Sequence, residues 1–214
     1  MMGQLFKRIL TSLGILCFST ASAVVFAAGE AAPKPPQRAI FAGGCFWCME
    51  APFDALPGVL KVTVGYTGGQ KPNPTYEEVS RGGTGHAEAV TIDFDPARVS
   101  YATLLEVFWR QVDPTTADAQ FCDHGSQYRS GIFYTSADQR REAEAAKAKL
   151  EASGRFKAKI VTEVTAAGPF FAAEDYHQHY YKKNPLRYKF YRLKCGRDQF
   201  LDGVWGQDRP KDHP

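Results

Sequence analysis

Two adjacent glycines, Gly43 and Gly44, separate an apolar run, Arg38-Ala39-Ile40-Phe41-Ala42, from a segment, Cys45 to Leu56, whose apolar residues recur at helical spacing. A strand and a helix joined over two residues require a sharp turn, and glycine supplies the backbone freedom for it. The chain is therefore expected to build a strand, turn and helix here, with Pro57-Gly58 ending the helix and Pro52 kinking or shortening it. The turn places the Cys45 sulfur at a helix N-terminus, beside backbone N–H groups without intrahelical partners, which is expected to lower its pKa.

The alternation continues along the chain. Val59 to Tyr66 reads as a strand, Thr67-Gly68-Gly69 breaks it, and Lys71-Pro72-Asn73-Pro74 leads into a short helix over 75–81. Ala87 to Phe94 reads as a strand, and Tyr101 to Val112 as an amphipathic helix with Leu104, Leu105, Val107 and Phe108 inward. Beyond a loop, Arg129 to Tyr134 reads as a strand, Ser136 to Ser153 as a helix capped by Ser136, and Lys159 to Val164 as the last strand. Glu174 to Tyr181 is expected to be helical, and residues 186–214 an irregular tail rich in Lys, Arg and aromatics. Interleaved strands and helices imply an α/β or α+β domain, with a mixed or largely antiparallel sheet covered by helices. Hydrophobic residues at 44% and charged residues at 23% suit a packed domain rather than a disordered chain, and 214 residues suit one domain. A net charge of +3 from interspersed charges gives no extended basic face, which argues against a nucleic-acid partner.

The first residues have a different character. Lys7 and Arg8 precede an apolar stretch from Ile9 to Phe18, followed by small residues around Ala21-Ser22-Ala23 and Val25-Phe26-Ala27-Ala28. Residues 1–28 read as a secretory signal peptide, with an uncleaved anchor as the alternative, and 29–37 as a proline-bearing linker. The expected mature protein is exported, to a bacterial periplasm, with no stable membrane association. Residues 38–185 form the expected catalytic domain, and 186–214 the tail that carries Cys195. Removing the leader leaves Cys45, Cys48, Cys122 and Cys195. Cys45 and Cys48 form a Cys-x-x-Cys pair at the mouth of a helix, where reactive rather than structural cysteines sit.

The run Gly44-Cys45-Phe46-Trp47 after Phe41-Ala42-Gly43 resembles the active-site segment of A-type peptide methionine sulfoxide reductases. Gly85-His86-Ala87-Glu88-Ala89-Val90, Asp113-Pro114-Thr115-Thr116, Gly125-Ser126-Gln127-Tyr128-Arg129-Ser130 and Ala173-Glu174-Asp175-Tyr176-His177-Gln178 resemble that family's other segments, in the same order. The resemblance implies that Cys45 is the attacking thiolate, that Phe46 and Trp47 wall a pocket for the substrate S-methyl group, and that Glu88 is the acid at the sulfoxide oxygen. Tyr76, Asp123 and Tyr128 would complete the polar side. The chemistry asks for the same types, because a sulfoxide oxygen leaves sulfur only after protonation, while attack at sulfur needs a thiolate. An apolar site would raise the Glu88 pKa enough for that acid to survive near neutral pH.

The resulting Cys45 sulfenic acid must condense with a second thiol. Cys195, on the tail, is the favoured partner, because a short bridge to Cys48 would distort the first helical turn; Cys48 is the alternative, or the first station of a relay. Cys48 also departs from the commoner family pattern, in which Gly holds that position. Cys122 reads as a third participant or as a small loop residue. The resemblance implies oxidised proteins or free methionine sulfoxide as substrates, the S epimer as the form accepted, and a thioredoxin-like dithiol as reductant. No organic cofactor is implied, since electrons pass through cysteines, and no metal, since His177 and His179 lack ligand spacing to other His or Cys residues. Two rivals share some features. A thioredoxin-like oxidoreductase would carry Trp rather than Gly before its first cysteine, and a zinc module would need a second Cys-x-x-Cys.

Overall fold

The central strands are β1 (Gln37–Gly43), β2 (Val59–Thr67) and β3 (Ala87–Phe94), in a computed structural model that describes residues 35–209. The expected signal peptide, and the linker up to residue 34, lie outside the described residues. β3 pairs antiparallel with β1 on one side and β2 on the other, and seven of its eight residues are buried. Both faces of β3 are thus covered, which accounts for its apolar run. With β6 (Ser130–Tyr134), β7 (Glu163–Ala166) and β8 (Phe170–Ala172) they make a six-stranded mixed sheet in the order β7-β6-β1-β3-β2-β8, in which only β6 and β7 are parallel. A separate ribbon pairs β4 (Ala119–Gln120) with β5 (Asp123–His124).

Helices α1 (Phe46–Asp54), α3 (Tyr101–Trp109) and α4 (Ala137–Ala152) follow the expected positions, as does the short α2 (Tyr76–Ser80). Pro52 stays inside α1, which ends two residues short of the expected boundary. Phe41 of β1 packs its ring against Phe108 of α3 at 5.0 Å and Phe53 of α1 at 5.6 Å, so the sheet and both helices share one apolar core. The reverse face of the sheet is covered by small residues, Ala42, Ala87 and Ala89, together with Phe133 and Ile40.

Three expectations are corrected. The strand expected over 159–164 begins only at Glu163, and the three-residue β8 was not anticipated. The helix expected over 174–181 is mostly turn, with helical backbone only in α5 (Tyr180–Lys183). The tail is not irregular: it forms α6 (Pro185–Lys194), begun by proline at its first position, and α7 (Arg197–Trp205). Leu201 and Trp205 of α7 join the main core, while Tyr188 of α6 packs on Cys48. Among the described residues, no helix is long and apolar enough to cross a membrane.

Candidate active site

β1 runs antiparallel to β3 with Ala42 opposite Ala89, so the turn that ends β1 lies beside Glu88 near the start of β3. Gly44 takes φ +80°, and a Cβ there would lie 2.5 Å from Cβ of Gln120. Glycine is required on both counts, conformation and space. Cys45 follows as the N-cap residue of α1, with its sulfur free of any capping bond. Phe46, the first residue of the helix, donates its backbone N–H to Oε2 of Glu88 at 3.0 Å. One of the helix's unpaired donors therefore fixes the carboxyl beside Cys45.

These groups open onto a cavity of about 90 Å³. Phe46 and Trp47 form its apolar wall, Glu88, Tyr76, Tyr128 and Asp123 its polar side, and Tyr191 of α6 closes it. The cavity thus brings together Cys45 and the six other residues that the sequence placed around it, and adds Tyr191, which sequence reasoning missed. A larger groove of about 450 Å³, lined by Leu105, Trp109, Ala146, Leu150 and Trp205, contains no thiol and lies away from Cys45.

Neighbouring segments hold the walls in place. The indole N–H of Trp47 donates to Nδ1 of His177 at 3.1 Å, and the indole stacks on Tyr180 with centroids 3.8 Å apart. Nδ1 of His177 is then unprotonated, so this buried histidine is neutral. Glu174 accepts from the Tyr66 hydroxyl at 3.0 Å and the Tyr76 backbone N–H at 2.9 Å, which seats Tyr76 at the start of α2. The Tyr191 hydroxyl donates to the Asp123 carboxylate.

Burial sets the electrostatics. Glu88 is almost fully enclosed, and desolvation pushes its pKa up to about 8, with Asp123 and Cys48 adding to the rise and the Phe46 N–H opposing it. The carboxyl is therefore largely protonated at neutral pH. Desolvation likewise raises Tyr76, to about 12, and Tyr128, keeping both hydroxyls as donors. The expected lowering of Cys45 is corrected: burial raises it well above the ordinary thiol value, with Cys48, Glu88 and Asp123 acting in the same direction. The low value belongs to Cys48, which a hydrogen bond from Cys45 holds down to about 6 against desolvation, aided by Arg197 and Arg192. The two thiols share one readily lost proton, and the proton that stays sits on Cys45.

The two arginines come from the tail and were not anticipated. Arg197, 1% exposed, donates Nη2 to the carbonyl of Gly43 at 3.0 Å and Nη1 to the carbonyl of Gln111 at 2.7 Å. Arg192 donates Nη1 to the carbonyl of Cys48 at 3.3 Å and forms a bidentate pair with Asp198. Cys195, between them in sequence, is not bonded to Cys45 or Cys48: it forms a disulfide with Cys122, while Cys45 and Cys48 are free thiols. Among the described residues, the one cluster with metal-ligand spacing is Cys122, Asp123 and Cys195, and its two sulfurs are bonded to each other.

A cysteine at a helix mouth, a buried carboxyl raised to about 8 and an aromatic wall thus share one cavity. The family model for peptide methionine sulfoxide reductase matches residues 37–209. The chain belongs to that family. Peptide methionine sulfoxide reductase MsrA of Bacillus licheniformis is 56% identical over 171 residues, covering 80% of this chain and 94% of the relative. MsrA of Listeria innocua is 54% identical over 169 residues, covering 79% of this chain and 96% of the relative. Among solved structures, methionine sulfoxide reductase A of Corynebacterium diphtheriae is similar with a TM-score of 0.63 and 35% identity, covering 74% of this chain and 78% of that one. Reduced Mxr1 of Saccharomyces cerevisiae is similar with a TM-score of 0.65 and 30% identity, covering 73% and 92%. A methionine sulfoxide reductase is an oxidoreductase.

Proposed function

We propose that this reductase converts the S epimer of methionine sulfoxide, free or in oxidised proteins, to methionine, with Cys45 as nucleophile and Glu88 as proton donor. The observation that carries the reading is the buried Glu88 carboxyl, raised to about 8, facing the same 90 Å³ cavity as the Cys45 sulfur. A cavity of that size admits the methyl-sulfur end of a methionine side chain and little else. Phe46 and Trp47 take the methyl group, and the oxygen lies toward Glu88 and the hydroxyls of Tyr76 and Tyr128.

In the first step Cys45 passes its thiol proton along its hydrogen bond to Cys48 and attacks the sulfoxide sulfur, as Glu88 protonates the oxygen. The S–S bond so formed breaks as the protonated oxygen moves from the substrate sulfur to Cys45, which becomes a sulfenic acid while methionine leaves, so the substrate gains the two electrons that Cys45 loses. A second thiol then displaces water from the sulfenic acid and forms a disulfide. The sequence favours Cys195 for that step. Cys48 is hydrogen-bonded to Cys45 and free, whereas Cys195 is bonded to Cys122, so we assign the first condensation to Cys48. A thioredoxin-like protein dithiol supplies the two electrons and two protons that restore the thiols. On the leader's charged, apolar and small-residue regions, we place this chemistry outside the cytoplasm, in a periplasm, after cleavage between Val24 and Gly29. N-terminal sequencing that finds Met1 on the exported protein would favour an anchor instead.

A dithiol-dependent assay on each sulfoxide epimer, run beside an insulin-reduction assay, tests the reading. Methionine is expected from the S epimer only, with little insulin reduction. Equal rates on both epimers, or fast insulin reduction without methionine formation, would overturn it.

A further inference from the structure

We propose that Tyr191 is a specificity-determining residue of this reductase, whose ring limits the S-alkyl group of the sulfoxide to methyl. The proposal rests on the reading of the cavity of about 90 Å³ as the place where Cys45 meets the sulfoxide.

Tyr191 reaches that cavity from α6, far along the chain from the residues of α1 that form its apolar wall. It is half-buried, and its hydroxyl donates to the carboxylate of Asp123, so what it offers a substrate is its ring. Burial raises the phenol pKa, with Cys45, Cys48 and Asp123 acting in the same direction, so the hydroxyl keeps its proton and stays a donor. The ring meets the indole of Trp47 with centroids 5.9 Å apart and planes at 80°. The methyl pocket therefore has three aromatic sides, Phe46 and Trp47 from the first turn of α1 and Tyr191 from α6.

Each side is held in place. The indole of Trp47 is bonded to His177 and stacked on Tyr180, so it cannot slide outward. Phe46 is buried, with the ring of His177 at 5.1 Å and that of Tyr66 at 5.9 Å. Tyr191 is fixed by its neighbours on α6. Tyr188, three residues earlier, is buried against Cys48, and Arg192, the next residue, donates to the carbonyl of Cys48 at 3.3 Å and pairs with Asp198. Walls that cannot relax turn one extra methylene into overlap. An S-ethyl group would have to displace Tyr191 and break its bond to Asp123, whereas an S-methyl group displaces nothing.

The test compares the S epimers of methionine sulfoxide and its S-ethyl homologue, ethionine sulfoxide, in single turnovers of fully reduced protein. The first thioether is released before any disulfide is exchanged, so an effect of α6 on recycling through Cys195 does not enter. At subsaturating substrate, wild type is expected to favour the S-methyl compound by roughly 10–200-fold, the usual discrimination of one methylene in an apolar pocket. Tyr191→Ala should bring the two rates to within about threefold, mainly by a gain on the S-ethyl compound, because the side that excluded the methylene is gone. The same variant should bind the S-methyl compound more weakly, with a smaller loss in the rate at saturation. Tyr191→Phe keeps the ring and gives up the hydroxyl, and should retain the wild-type preference. Where Tyr191→Ala acts on neither compound, Tyr191→Leu should give an intermediate ratio. A wild-type ratio in the Ala or Leu variant overturns the proposal, as does a wild type that reduces both compounds equally well. A preference lost in Tyr191→Phe as fully as in Tyr191→Ala also overturns it, since the bond to Asp123 and not the ring would then set the limit. Absence of methionine from wild type would instead remove the reading of the cavity itself.

Discussion

The backbone N–H of Phe46 donates to Oε2 of Glu88 at 3.0 Å, so the residue that follows Cys45 also fixes the Glu88 carboxyl. One carboxyl oxygen is committed to that bond, and the other is left to carry the proton. Because β1 and β3 are adjacent antiparallel strands, the arrangement follows from sheet register rather than from a flexible loop.

Glu88→Gln keeps an acceptor for Phe46 and removes the proton. We expect kcat to fall by about 10²-fold or more, the usual scale for a general acid. Wild-type activity should decline as pH rises through about 8, where Glu88 ionises, and the variant should lack that limb. Stability follows the same sign. The folded pKa is raised above the ordinary glutamate value of 4.5, so the stability this group contributes is complete below that value and is lost as pH rises through about 8. Chemical denaturation from pH 5 to 9 should show a flatter profile for the variant than for wild type.

Gly44→Ala introduces a side chain at φ +80° and 2.5 Å from Gln120. Strain and overpacking together should destabilise the fold by about 1–3 kcal/mol. The shift also displaces Cys45, so activity should fall even at temperatures where the variant is folded. Paired denaturation and kinetic measurements check this, and unaltered values in both would show that the turn has room to relax.

Arg197→Met leaves the carbonyls of Gly43 and Gln111 without their buried charged donor, a loss of about 1.5–3 kcal/mol. It also removes a positive charge that favours the Cys48 thiolate. The ultraviolet thiolate absorbance of the reduced protein should therefore titrate at higher pH than in wild type, where Cys48 lies at about 6. A stability loss with unchanged titration would limit Arg197 to a packing role.

What the sequence disclosed depended on which face of each element carried its apolar residues. β3 was legible to both ends because its apolar run coincides with its buried run. α6 was not, because its pattern is inverted: Leu186, Phe190 and Leu193 are 85%, 62% and 61% exposed, while the inward residues are Tyr188 and Arg192. A charged residue reads as solvent-facing unless its partners are known, and the partners of Arg192 and Arg197 lie up to 154 positions away. Tyr191 was missed for the same reason. The seven residues of the cavity that were found sit in segments resembling a known family or beside them, where order along the chain stood in for distance. Burial overturned one expectation from the sequence, since the low thiol pKa belongs to Cys48 and not to Cys45.

The central claim is that oxygen passes from the substrate to Cys45, and a single-turnover experiment on Cys45→Ser tests it most directly. The buried serine hydroxyl is too weak a nucleophile at neutral pH, so the folded variant, mixed with the S epimer of methionine sulfoxide, should release no methionine. Cys48→Ser under the same conditions should release one equivalent and carry one added oxygen on Cys45. Release of methionine by folded Cys45→Ser at a rate near that of wild type would contradict the account.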